Sequence, residues 1–130
     1  MLGGFLRRRV GQAWDRAGTT RNWWTSPRLS AHIAGAICPG DPAGYPAGMV
    51  ALLAQATGGQ PLRVGVSVGC GGGAKEMALM RAGLVDRFLL FDLSESRIAE
   101  ARAHALRDGL DGRVEARMES PLDRAPTRAG

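Results

Sequence analysis

A corner of four glycines directly after a run of small, β-branched residues is the strongest fold signal in this sequence. Residues 64–68 read Val-Gly-Val-Ser-Val, a pattern typical of a buried parallel strand. The glycines that follow are Gly69, Gly71, Gly72 and Gly73. Glycine allows a sharp turn and a close approach of the backbone to a ligand, because no side chain stands in the way. The segment therefore predicts a strand that ends in a ligand-binding turn.

A helix and a second strand are expected after this turn. Ala74–Ala82 predicts a helix whose first amides face the ligand, and Gly83 is placed to end that helix in a left-handed cap. Phe88–Phe91 is a second apolar run, and Asp92 stands at its carboxyl end. An acid about 20 residues beyond the glycines can accept both hydrogen bonds of a ribose diol in a nucleotide-binding βαβ unit. The order of these pieces predicts a nucleotide-type site.

A second helix and a third strand follow the acid. Ser94 can cap a helix, and Glu95 suits the positive end of the helix dipole in the first turn. Its predicted buried face consists of Ile98, Ala101, Ala105 and Leu106. Gly109 and Gly112 separate this helix from a third strand within residues 112–117. The predicted unit is therefore βαβαβ.

Two segments of this unit resemble the class I S-adenosylmethionine-dependent methyltransferases. Val68–Gly73 is similar to the first motif of that family, V-G-C-G-x-G, and Asp92–Arg102 to the second, an acid, a serine and a helix of the I-x-x-A-R type. The resemblance implies S-adenosyl-L-methionine as the cofactor. It also implies an α/β fold, a partial doubly wound (Rossmann-like) three-layer sandwich with a parallel sheet of about three strands and N-terminal helices. Gly69, Gly71 and Ala74 equally satisfy the glycine fingerprint of NAD-binding domains, so an NAD-dependent oxidoreductase fragment stays an alternative.

The resemblance also implies a set of cofactor-binding residues. They are Ser67, Gly69, Cys70, Gly71, Gly73, Asp92, Leu93 and Glu119. The glycines would face the methionine and ribose moieties, Asp92 would hold the ribose hydroxyls, and Leu93 would lie against the adenine. The chain departs from the family twice. Ser67 stands two residues before the first glycine, where the family often has an acid. After the third strand, where the family often has another acid, this chain offers Glu119 and Ser120, and Glu119 is the candidate adenine partner.

The implied activity is methyl transfer to an unidentified small-molecule or glycan acceptor. The sequence ends before a fourth strand, so we expect a truncated or partial chain that lacks the acceptor-binding half. A non-catalytic binding module with a nucleotide fold is a further alternative. No catalytic residue is assigned, because His32 has no identifiable partner in the sequence.

We expect three regions along the chain: a helical and irregular segment over residues 1–60, the cofactor-binding half-domain over 61–120 and a disordered tail over 121–130. Within the first, Trp23 and Trp24 are expected to pack the N-terminal helices onto the sheet, with a lid over the cofactor or a wall of the acceptor site as the alternative. Residues 38–48 predict an irregular linker, and Met49–Ala56 a short helix.

Charge and cysteine content limit the partners. Residues 1–30 hold six arginines against one aspartate, but no nucleic-acid reader motif accompanies this basic arm, so no nucleic-acid partner is expected. No apolar run approaches the ~20 residues of a membrane span, and a cytoplasmic protein is expected. Cys38 and Cys70 predict neither a disulfide framework nor a metal site. The open edge of the first strand predicts self-association.

Overall fold

The computed structural model describes residues 2–16, 26–37 and 45–124, which form an α/β unit around a parallel sheet. Three helices come first: α1 (Leu2–Arg16), α2 (Pro27–Ile37) and α3 (Tyr45–Thr57). The alternating part then consists of β1 (Gly65–Val68), α4 (Ala74–Arg81), β2 (Phe88–Phe91), α5 (Glu95–Arg107) and β3 (Val114–Arg117). Two short 3-10 helices, Asp111–Arg113 and Pro121–Arg124, flank β3. The predicted α/β class and the partial doubly wound sheet are confirmed.

The sheet has the order β1-β2-β3, and both strand pairs are parallel. Gly65 lies opposite Phe88 and Val68 opposite Phe91, so β1 and β2 end at the same level. Parallel strands joined by right-handed crossovers place their connecting helices on one face of the sheet, and α4 and α5 contact each other accordingly. The carboxyl ends of all three strands therefore meet at one edge, where the glycine turn lies.

The core lies between β2 and the two crossover helices. Leu90 of β2, Met77 of α4 and Ala101 of α5 are fully buried. Burial of such side chains supplies the main favourable free energy of folding for a small domain. Gly65 is needed for a different reason, since a Cβ there would run into the ring of Phe88. The predicted apolar strand Phe88–Phe91 is thus the centre of the fold.

The predicted helix boundaries agree with the structure in the alternating part. Gly83, directly after the last turn of α4, has φ 71°. Ser94 caps α5, because its Oγ accepts a hydrogen bond from the amide of Arg97 at 3.2 Å. Both residues have the conformational role expected from the sequence.

Two local predictions are wrong, and two others concern residues outside the described part of the chain. Leu106 is 67% exposed, and the buried apolar position at this end of α5 is taken by Leu110 instead. Residues 45–48 belong to α3 and not to a linker, because proline is well tolerated in a first helical turn, where Pro46 stands. Trp23, Trp24 and residues 125–130 lie outside the described residues.

One face of β1 is open. Val64, Val66 and Val68 are 55%, 59% and 68% exposed. Because side chains alternate along a strand, these valines point away from the face that carries Ser67 and α4. None of the described helices is long and apolar enough to cross a bilayer.

Candidate functional site

Three glycines of the turn adopt the left-handed conformation that other residues avoid. The φ angles are 69° at Gly69, 58° at Gly71 and 73° at Gly73. A Cβ at Gly69 or Gly71 would meet no atom within 4 Å, so open space lies beside both. These two positions need glycine for backbone conformation, and the space next to them is available to a ligand.

Gly73 is buried at the start of α4, where a Cβ would make ordinary contacts at 3.4 Å with the side chains of Ala101 and Met77. Packing alone would tolerate a small side chain there, so the left-handed backbone is what requires glycine. The turn is tied to the sheet, because the amide of Gly69 donates to the carbonyl of Phe91 at 2.7 Å. Whether Gly73 also contacts a ligand stays a prediction.

The structure brings Asp92 to the glycine turn. Its Oδ2 accepts a hydrogen bond from the amide of Gly71 at 2.9 Å, and its Oδ1 accepts one from the amide of Ser94 at 2.9 Å. The carboxylate thus connects the turn after β1 with the start of α5. Each carboxylate oxygen can accept a second hydrogen bond, and Asp92 is only half-buried. It is a fixed acceptor with capacity for further hydrogen bonds, and its role in holding ribose hydroxyls stays a prediction.

A second carboxylate, which was not among the residues predicted from the sequence, lies on the α4 side of the turn. Ser67 Oγ donates a hydrogen bond to Glu76 Oε1 at 2.5 Å. Glu76 is 4% exposed, and its Oε2 accepts no hydrogen bond from the described part of the chain. The available signal was an acid in the first turn of the helix that follows the glycines, which is also a common position for an acid without any ligand.

Cys70 is held as a neutral thiol inside the turn. Its Sγ lies 3.4 Å from the carbonyl oxygen of Gly71, and the residue is 4% exposed. Burial, followed by the negative charges of Asp92 and Glu76, raises the pKa of Cys70 to about 12. A thiol with so high a pKa is a poor nucleophile at neutral pH. Cys70 is thus a small residue filling a tight corner.

Leu93 is contacted by α1 from the basic N-terminal arm. Gly11 packs directly on the carbonyl oxygen of Leu93, because a Cβ at position 11 would overlap that atom. Asp15 Oδ1 accepts hydrogen bonds from Ser94 Oγ at 2.5 Å and from Ser96 Oγ at 2.7 Å. The Ser94 hydrogen bond and then those of Ser96 lower the pKa of Asp15. The only acid of the basic arm therefore fastens α1 to the loop that carries Asp92.

Glu119 follows β3 on the same edge of the sheet. The amide of Asp92 donates to the carbonyl of Arg117 at 3.2 Å, and the side chain of Arg117 donates to Glu119 at 3.3 Å. Glu119 therefore stands two residues beyond a direct contact of Asp92, and its role as an adenine partner stays a prediction. His32 lies exposed on α2.

A shallow depression occurs at the opposite end of the strands. It is lined by Arg63, Val64, Asp86, Arg87 and Leu89. Ligands of open α/β sheets bind at the carboxyl ends of the strands, whereas this depression lies beside the amino ends of β1 and β2. The glycine turn is therefore the candidate functional site.

No protein-family model and no curated protein matches the chain. Solved structures do match. An O-methyltransferase from Bacillus cereus in complex with SAH is 26% identical with a TM-score of 0.50, and the match covers 88% of this chain and 51% of that one. The chain has a class I methyltransferase fold. The (4+2) cyclase SpnF shares this fold at 22% identity and a TM-score of 0.56, over 88% of this chain and 42% of SpnF. The chain thus spans about half the length of either structure.

Proposed function

We propose that the chain binds S-adenosylmethionine and supplies the cofactor side of a methyl transfer to a small-molecule or glycan acceptor. The observation that carries this proposal is the open glycine turn held against Asp92. A bare backbone corner and a fixed carboxylate at the ends of two neighbouring strands suit an adenosine-bearing ligand.

Asp92 supports the ribose part of the proposal. Its two oxygens are oriented by backbone amides at 2.9 Å, so the carboxylate needs no rearrangement to accept hydroxyl hydrogens. Because these oxygens are oriented before the ligand arrives, the entropic cost of ordering them on binding is smaller. The open space beside Gly69 and Gly71 leaves room for the atoms attached to that ribose.

The O-methyltransferase neighbour supports the choice of cofactor, because its structure contains SAH, the product that remains after the methyl group has left. In the reaction, a lone pair on the acceptor forms a bond to the methyl carbon while the sulfur–methyl bond breaks. The electron pair of that bond stays on sulfur, and the acceptor releases a proton. The enzyme contributes mainly the in-line position of the two reactants.

SpnF carries a different activity on the same fold, so the fold alone does not decide the reaction. A non-catalytic binding module is therefore the second candidate function, since a likeness to a cyclase and to a methyltransferase fits any chain that retains the fold. The two candidates differ in whether an acceptor is methylated.

We further propose a cytoplasmic protein that self-associates through β1. The amides of Gly65 and Gly69 donate to the carbonyls of Arg87 and Phe91 in β2 or just beside it. The alternate amides, at Val66 and Val68, therefore point to the free edge of the sheet. An edge of this kind with exposed valines can pair with another chain. Nucleic acid and membranes are not among the proposed partners.

Isothermal titration of the 130-residue chain with S-adenosylhomocysteine, S-adenosylmethionine and NAD tests the cofactor. We expect the two sulfur compounds to bind at one site per chain, and NAD to bind more weakly or not at all. Tighter binding of NAD would contradict the proposal. Absence of binding by all three would remove the cofactor site altogether and favour the non-catalytic module.

A further inference from the structure

The carboxylate of Glu76 is buried beside the glycine turn and lacks a partner on one oxygen. Oε1 accepts the Ser67 hydroxyl at 2.5 Å, but Oε2 has no hydrogen-bond donor among residues 2–16, 26–37 and 45–124. The residue is only 4% exposed. A buried carboxylate is unfavourable unless donors or positive charge offset its lost hydration. The site therefore needs a cationic or hydrogen-bond-donating group that the described protein does not supply.

This carboxylate lies at the same turn as Asp92. Ser67 is on β1 two residues before Gly69, and Glu76 is the third residue of α4. Asp92 approaches the turn from the end of β2 through the amide of Gly71. The negative charges of both acids contribute to the raised pKa of the Cys70 thiol, so both carboxylates are close to this residue of the turn. The turn is thus flanked by one carboxylate on the β1 side and another on the β2 side.

We propose that Ser67 and Glu76 together bind the ammonium group of the methionine arm of S-adenosylmethionine, an inference that rests on the proposed function. The cofactor has two positive groups. Its sulfonium has no hydrogen to donate, whereas the ammonium has three, as a lysine ammonium does. The ribose hydroxyls are met by Asp92, and the carboxylate of the methionine arm would be repelled by Glu76. The ammonium is the group that fits the unpartnered oxygen.

Ser67 makes this carboxylate reachable. Its side chain is half-buried at the end of β1, and its hydroxyl hydrogen is directed at Glu76. The lone pairs of Ser67 Oγ are therefore left to accept a hydrogen from the ammonium, while Glu76 supplies the negative charge behind it. Ser67 stands where the methyltransferase resemblance led us to expect an acid. In this chain the charge is delivered to the same place from α4.

Glu76→Gln tests the inference when binding is measured with two ligands. S-Adenosylhomocysteine carries the ammonium, and 5′-methylthioadenosine keeps the adenosine and the thioether but lacks the whole amino-acid arm. The glutamine preserves side-chain size and an acceptor for Ser67, and it removes the charge. We expect S-adenosylhomocysteine affinity to fall about tenfold or more, as for loss of a charge-assisted hydrogen bond. Affinity for 5′-methylthioadenosine should not change.

Glu100→Gln is the matched control. Its carboxylate also lies near the turn, where a Cβ on Gly72 would approach it to 2.6 Å, but it is ion-paired with Arg97 at 2.9 Å and exposed. We expect this variant to bind both ligands as the wild type does. Equal weakening of S-adenosylhomocysteine by both variants would mean that only the general negative field matters, and would overturn the specific role of Glu76.

The double variant Ser67→Asp, Glu76→Gln gives an independent check, because it returns a carboxylate to β1. We expect it to recover most of the lost preference for S-adenosylhomocysteine over 5′-methylthioadenosine. Equal loss of both ligands in Glu76→Gln would show a structural role instead and would refute the inference. Unchanged binding of both would refute it too, with the proposed function intact. Only failure of the wild type to bind either ligand would count against the proposed function itself.

Discussion

Replacing Asp92 by alanine should separate the two tasks that its carboxylate performs. Inside the protein the carboxylate accepts hydrogen bonds from the amides of Gly71 and Ser94, each at 2.9 Å. A hydrogen bond to a charged group contributes about 1.5 to 3 kcal/mol net. Because Asp92 is half-buried, water can partly replace the lost acceptor at both amides. We therefore expect the free energy of unfolding to fall by about 1 to 2 kcal/mol, less than two full bonds would give.

The same substitution should weaken cofactor binding by more than it lowers the free energy of unfolding. If the carboxylate accepts the ribose hydroxyls, its loss should weaken S-adenosylhomocysteine by about 1.5 to 3 kcal/mol, or about 10- to 150-fold. Titration calorimetry measures the affinity, and urea denaturation measures the stability of the same sample. Asp86→Ala is the control, since Asp86 is an exposed acid that precedes β2, whereas Asp92 follows β2. A folded Asp92→Ala protein with wild-type affinity would refute the ribose assignment.

Three further outcomes are expected. Gly11→Ala should lower the free energy of unfolding by about 1 to 3 kcal/mol, because the added methyl group overlaps the Leu93 carbonyl. Gly4→Ala in the same helix places its methyl group in open space and should raise the free energy of unfolding by up to about 1 kcal/mol. In a Cys38→Ser background, alkylation of Cys70 should proceed only as fast as unfolding. The pKa of Cys70 is raised from 9.0 to about 12, so the unfolded chain loses the thiol proton at a lower pH than the folded chain does. The free energy of unfolding should therefore fall as the pH rises from about 9 to about 12. Val66→Lys should reduce self-association in sedimentation velocity, and an unchanged distribution of species would argue against the β1 edge.

The alternating unit could be predicted from the sequence because its signals are local. A left-handed φ at Gly69 or Gly83 requires glycine regardless of the remaining fold. Ser94 caps α5 through a hydrogen bond that spans three residues. Phe88–Phe91 is apolar at every position, as a strand covered by neighbours requires. In each case a few adjacent residues contain the physical cause of the structure.

The contacts that the sequence did not reveal join residues far apart in the chain. Asp15 and Ser94 are 79 positions apart, and no local pattern indicates that this aspartate binds the start of α5. Leu106 fits the apolar helical pattern, yet it is exposed, whereas Leu110 beyond the helix is buried in the core. The Ser67–Glu76 pair is closer in sequence, but its meaning depends on an oxygen that lacks a partner after packing. Such a feature exists only in three dimensions.

The pairing of Asp92 with Glu76 bears on the reaction as well as on affinity. Methyl transfer requires the sulfur–methyl bond to point at the acceptor, and a misplacement of about 1 Å can cost about 100-fold in rate. The sulfur lies between the ribose and the methionine arm of the cofactor. A ligand held only at the ribose could rotate about the bonds to sulfur, whereas contacts at both ends leave fewer orientations of the methyl group. On the proposed assignments, the two carboxylates beside the glycine turn therefore orient the methyl group and do more than add binding energy.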